Sequence, residues 1–179
     1  DTARAAAAMR PARLAVFGYA HVPSFKKHQS VIDETTLPDS EARGEHALAI
    51  AETLVASGYT QIGLDHFARA DDDLTSAQAA GTLRRNFQGY TTDTCRTLIG
   101  FGASAIGQTA HGYVQNDVRL DLYAGHIRGG NLATIKGYRL TAEDRLRAEM
   151  IERRMCDFEA DIPAICARHG FDPAGLLEG

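Results

Sequence analysis

An apolar run, a helix-patterned stretch and a second apolar run follow one another within the first 64 residues, and that order leaves few folds open. Arg13–Tyr19, just after Pro11, reads as a short buried strand. From Ser40 to Ser57 the residues Ala47, Ile50, Ala51, Leu54 and Val55 share one face of a helix, and Gly58 suits its C′ position. Tyr59–Leu64 is then a second strand. Strand, crossover helix and strand predict a right-handed parallel βαβ unit and place the chain in the α/β class. Both strands of such a unit end at one edge. His21 and Asp65-His66 therefore emerge at a common pole, where parallel α/β folds build their sites.

Further along, Asp71-Asp72-Asp73 opens a helix with acids set against its macrodipole, and Gly81 closes it. Residues 83–92 are extended, and Leu98–Ile106 is a compact glycine-rich segment. Asp117–His126 fits a helix with Leu120, Tyr123, Ala124 and Ile127 inward, ended by Gly129-Gly130. Asn131–Leu140 reads as a strand or an extended lead-in, and Thr141–Asp144 resembles a capping box. The helix after it carries Leu146, Met150, Ile151, Met155 and Phe158, and Ile162–His169 forms one more. With no strand alternating among these helices, residues 116–179 read as the start of a helical domain behind an α/β part at 1–115.

Composition excludes several functions. A chain that is 44% apolar and 23% charged, with net charge −4, favours neither nucleic acid nor an anionic membrane. No apolar run approaches the ~20 residues of a membrane span. Cys95, Cys156 and Cys166 fit neither a disulfide framework nor a metal motif, which points to buried thiols in a reducing cytoplasm. Seven histidines show no ligand rhythm, and no G-x-S-x-G elbow occurs. Gly100–Ala105 matches G-x-G-x-x-A in form only, because His111–Asp117 does not read as the second strand a dinucleotide site needs. Asp65 and His66, as neighbours on a strand, point to opposite faces and are not expected to act as a dyad.

Two segments point to a ligand. Arg85–Thr92 is aromatic and amide-bearing, and Gly100–Gly107 allows close backbone approach. Gln88, between Phe87 and Gly89, needs a polar partner if it is buried. Tyr19, Phe67, Phe87, Tyr90 and Phe101 are enough aromatic surface to line a cavity for a flat macrocycle, although ordinary core packing accounts for them as well.

Tyr19–Pro23, Gly63–Arg69 with Asp71-Asp72, Arg85–Thr92 and Gly100–Ile106 together resemble the oxygen-independent coproporphyrinogen III oxidases, in order and separation. The resemblance is strong over about 13–116 and looser beyond. It implies the last βα units of an incomplete parallel barrel followed by a mainly helical domain. It further implies a radical S-adenosylmethionine enzyme with a [4Fe–4S] cluster on three cysteines. A 5′-deoxyadenosyl radical would take hydrogen from a propionate of coproporphyrinogen III. Loss of carbon dioxide and one electron, done twice, would then give protoporphyrinogen IX.

By the same resemblance Ala20 and Ile106 would contact S-adenosylmethionine, and Gln88 would hydrogen-bond a ligand at the second cofactor or substrate position. Tyr19, His21, Asp65 and Tyr90 would be site-lining neighbours. The cysteine triplet is absent from these residues. A chain opening on Asp1 is accordingly expected to be an inactive piece of a monomeric cytoplasmic enzyme that also uses an electron acceptor. A haem-chaperone homologue without oxidase activity and a non-catalytic interaction module are the alternatives.

Overall fold

In the computed structural model, residues 1–176 are described and fold as two compact units, Asp1–Leu83 and the described residues from Arg84 onward. In the first, helix α1 (Thr2–Ala8) leads through Pro11 into strand β1 (Arg13–Ala15). A long loop with two single 3-10 turns, Lys27–Val31 and Glu34–Thr36, precedes helix α2 (Ser40–Ala56). The Asp39 carboxylate accepts the Ala42 N–H at the start of α2, and Gly58, at φ +88, releases the chain at its end. Strands β2 (Tyr59–Ile62) and β3 (His66–Arg69) and helix α3 (Asp73–Ala79) complete the unit.

The crossover unit is present with one strand added. β1 and β2 run in the same direction, but β3 lies between them and pairs antiparallel with both. Gly63, at φ +55, turns the chain back where the sequence reads as a single strand to Leu64. The expected common pole survives the insertion, because Ala15 and Ile62 both pair with His66. No two neighbouring strands run parallel among the described residues. Leu54, Tyr59 and Phe67 form one core cluster, packed by Leu14, Ile50, Ala51 and α1 alanines. Ala47 and Val55, expected on the buried face of α2, are exposed.

The second unit begins with the hairpin β4 (Arg84–Asn86) and β5 (Gly89–Thr91). Next comes an antiparallel sheet in the order β6 (Ile106–Thr109), β7 (Gly112–Asn116), β8 (Thr134–Arg139). His111–Asp117 thus does contain a strand. It follows a turn-to-strand junction, so Gly100–Ala105 opens no helix, and the phosphate-facing helix start of a dinucleotide site is missing. The division expected at 115/116 falls inside β7, at its register shift.

Helix α4 (Leu120–Arg128) sits between β7 and β8, so a strand does alternate with the later helices. Its Tyr123 and Ala124 are half-buried, whereas Leu120 and Ile127 are exposed. Helix α5 (Ala142–Asp157) opens with the capping box Thr141/Asp144, and α6 (Ile162–His169) follows. Leu146, Ile165 and Cys166 make the core of this helical pair. Among the described residues no helix is long and apolar enough to cross a membrane.

Candidate functional site

In the first unit the residues singled out by sequence gather where β1 ends and β2 turns into β3. Val16 N–H donates to the Asp65 carbonyl oxygen at 2.8 Å, and the Phe17 ring meets His66 edge-on at 6.1 Å. Tyr19, Ala20 and His21 lie on the exposed loop that continues from there. His21 is held from both sides. Its Nε2 is 3.1 Å from Glu34 Oε1 and its Nδ1 is 3.1 Å from the Tyr19 hydroxyl. With Nε2–H donating to the carboxylate, Nδ1 accepts the phenol proton, which leaves Tyr19 as an oriented hydroxyl, 47% exposed.

Beneath this loop Gln29 is buried. Its Oε1 accepts the Val22 N–H at 2.7 Å and its Nε2 donates to the Ala20 carbonyl at 3.0 Å.

Asp65 and His66 contradict the opposite-faces expectation. Asp65 occupies the turn before β3 rather than the strand, so its Oδ1 reaches His66 Nδ1 at 2.7 Å. A carboxylate on Nδ1 fixes the tautomer with the proton on that nitrogen and orients the imidazole ring.

In the second unit the expected residues part company. Tyr90 is buried and structural. Its hydroxyl donates to the Met155 carbonyl at 3.0 Å, and the Arg85 guanidinium lies over its ring at 5.1 Å. Glu152 accepts from both Arg84 Nε and Arg85 N–H, which fastens β4 to α5. Gln88 is exposed at the two-residue hairpin turn, where its own N–H donates to Asn86 Oδ1. The burial that would have forced a partner on its side chain is absent. Phe87 beside it is mostly exposed and meets Tyr113 at 5.5 Å.

Ile106, half-buried, starts β6 directly after the glycine-rich bend. That bend is rigid because Asn116 donates both amide hydrogens into it, to the Gly100 and Gly102 carbonyls at 3.1 Å each. Gly102 N–H donates to the Tyr123 hydroxyl and Ser104 N–H to the Asp117 carbonyl. The close approach foreseen for a ligand is at Gly100 and Gly107 an approach to this chain's own backbone. An added Cβ would lie 3.1 Å from the Ile106 carbonyl at Gly100 and 2.9 Å from the Leu98 carbonyl at Gly107. Gly102 is different: at φ +102 the place a side chain would take is open, next to the exposed Phe101, while its N–H and carbonyl are both engaged within the bend.

Gln29, Glu34 and Asn116 were not legible as site residues. Each acts through backbone or imidazole partners brought close only by the fold, and a glutamine in a polar loop carries no periodic signal. Among the described residues no group of three His, Cys, Asp or Glu side chains is placed to hold a metal. Cys95 is exposed, and Cys156 and Cys166 are buried in the helical region. Burial pushes the Cys156 thiol up to about 11. These side chains do not fit a [4Fe–4S] cluster. Taken separately, the exposed Tyr19-Ala20 backbone of the first unit and the half-buried apolar Ile106 of the second are of the kind that makes backbone or packing contacts to an adenosyl group.

Comparison with known proteins gives a consistent picture. No protein-family profile matches the chain. The oxygen-independent coproporphyrinogen III oxidase of Bradyrhizobium diazoefficiens is 57% identical over 178 residues, 99% of this chain and 40% of that protein. One from Cereibacter sphaeroides is 48% identical over 160 residues, 89% of this chain and 35% of its own length. The solved structure of coproporphyrinogen III oxidase (HemN) from Escherichia coli, a radical SAM enzyme, superposes with a TM-score of 0.83 at 37% identity. That match covers 94% of this chain and 39% of HemN. The chain is thus homologous, along nearly its whole length, to a segment of the oxygen-independent coproporphyrinogen III oxidases.

Proposed function

We propose that this chain forms part of an oxygen-independent coproporphyrinogen III oxidase, in which its loops meet S-adenosylmethionine and the porphyrinogen. The observation that supports the reading is the 57% identity to such an oxidase over 99% of this chain, a span that takes in all four segments resembling the family. In this reading the β1, β2 and β3 strands are late elements of an incomplete barrel completed by strands outside these residues. Ala20 and Ile106 pack against S-adenosylmethionine, and Gln88, projecting from its hairpin, donates to a second cofactor or to substrate. Tyr19, His21 and Asp65 line the approach, the last by orienting His66. Tyr90 supports the Gln88 hairpin from inside rather than touching a ligand.

When bound, S-adenosylmethionine and the cluster supply the hydrogen-abstracting radical. Each propionate then becomes a vinyl group with loss of carbon dioxide, one hydrogen atom and one electron, which passes to an acceptor. The cluster ligands belong to residues other than these. The part played by this chain is to bind, orient and exclude water, which is where most of the selectivity between two propionates must come from. A cytoplasmic monomer is the state proposed for the whole protein.

Anaerobic incubation of the full-length protein with S-adenosylmethionine, reductant and coproporphyrinogen III tests this. Protoporphyrinogen IX and two carbon dioxides per substrate are expected. Tight haem binding without turnover overturns it in favour of the haem-chaperone reading.

A further inference from the structure

Gln29 and Asp117 are the two polar side chains buried among the described residues, and Gln29 serves a loop that contributes nothing to the sheet. It is 8% exposed and sits in the 3-10 turn Lys27–Val31. Its own backbone is fixed there by Gln29 N–H donating to the Lys26 carbonyl and Ile32 N–H donating to the Gln29 carbonyl. From that anchor its amide spans His21, accepting from Val22 N–H on one side and donating to the Ala20 carbonyl on the other. Tyr19 and Ala20 beyond it are exposed, so the clamp sets the backbone of a surface loop from underneath.

An uncharged amide is the side chain that offers donor and acceptor together at this reach. A carboxylate lacks the donor, and a thioether offers only a weak acceptor. Without the clamp, one N–H and one C=O on either side of His21 lose their partners, and the Glu34–His21–Tyr19 chain loses the backbone it hangs from.

We propose that Gln29 is the positioning residue of the Ala20 loop, setting in advance the backbone that meets S-adenosylmethionine and the Tyr19–His21 pair that lines its approach. This rests on the assignment of Ala20 to that ligand made above. Pre-ordering of this kind raises affinity by removing the loop-ordering cost from the binding step.

The test uses the full-length protein carrying Gln29→Met or Gln29→Glu. The dissociation constant for S-adenosylmethionine, the unfolding midpoint and hydrogen exchange at the Val22 amide are read together. Expected are faster Val22 exchange, affinity weakened about tenfold or more, and a midpoint that falls too little to unfold the protein at assay temperature. Turnover at saturating S-adenosylmethionine is recovered in large part.

Unchanged affinity in both variants overturns the proposal. So does failure of both to fold, because Gln29 then holds the whole unit rather than one loop. Ala20→Val, which adds bulk at the contact itself, separates the two layers. If it weakens binding while the Gln29 variants do not, the positioning role alone falls. If neither change matters, the assignment of S-adenosylmethionine to this loop falls with it.

Discussion

Both amide hydrogens of Asn116 end on carbonyls of the Gly100–Gly102 bend, so Asn116→Leu keeps the volume and removes both of these hydrogen bonds. A loss of about 1–3 kcal/mol in urea unfolding is expected, and a change below ~0.5 kcal/mol contradicts the tether. Two glycines give opposite signs. At Gly112, with φ +155, an added Cβ falls 1.9 Å from the Tyr138 carbonyl oxygen, so Gly112→Ala costs at least ~3 kcal/mol or prevents β7–β8 pairing. At Gly125, inside α4, nothing lies within 4 Å, and Gly125→Ala adds about 0.5–1 kcal/mol.

At this scale the sequence was readable where one residue acts by its own type, as with Gly58 or the Asp71–Asp73 triplet. It was unreadable where role depends on what the fold places alongside. Asp65 was assigned to a strand, and one residue of displacement into the turn converted two divergent side chains into a hydrogen-bonded pair. The prospects of Gln88 and Tyr90 were set by burial, and burial fell on the tyrosine.

At the scale of elements, charge ties the start of α3 to β1. Asp72 accepts from Leu74 N–H at the helix N-terminus and from Arg13 Nε on β1, at 2.8 Å for its nearer oxygen in each case. Burial disfavours its charge, but the Arg13 guanidinium and the Leu74 N–H outweigh that and hold it below the usual 3.8. A depressed carboxylate stabilises the fold above its unfolded value and loses that contribution as pH falls through the folded one. The stability gap between the native chain and Asp72→Asn should therefore be constant near neutrality and close as pH drops below about 4. A gap that widens in acid contradicts the pairing.

Helices were legible because period and caps agree: Asp39, Thr141 and the glycines after α2 and α6 mark them in the sequence. The strands β3 and β7 were not, and β8 stood only as one of two readings of Asn131–Leu140. β3 continues an apolar run after a glycine turn. β8 is exposed along all of Thr134–Arg139 and so has no alternation to betray it.

For the whole molecule, the thiols and the cluster give one test each. In the native chain only Cys95 should react readily with an aromatic disulfide reagent, and all three after denaturation. With a value of about 11, Cys156 is roughly one part in a thousand thiolate at pH 8. The isolated polypeptide is predicted to hold no iron or sulfide after reconstitution and to leave S-adenosylmethionine uncleaved; turnover by it alone contradicts the account of where the cluster ligands lie. The resemblance carried the whole-molecule reading further than periodicity did, since period alone put neighbouring parallel strands where β3 intervenes.

The most direct measurement replaces the matching segment of the Bradyrhizobium diazoefficiens oxidase with these 179 residues and follows anaerobic formation of protoporphyrinogen IX. Conversion within about tenfold of the unmodified enzyme is the predicted result. A folded, cluster-loaded chimera that binds S-adenosylmethionine yet makes no protoporphyrinogen IX would contradict it.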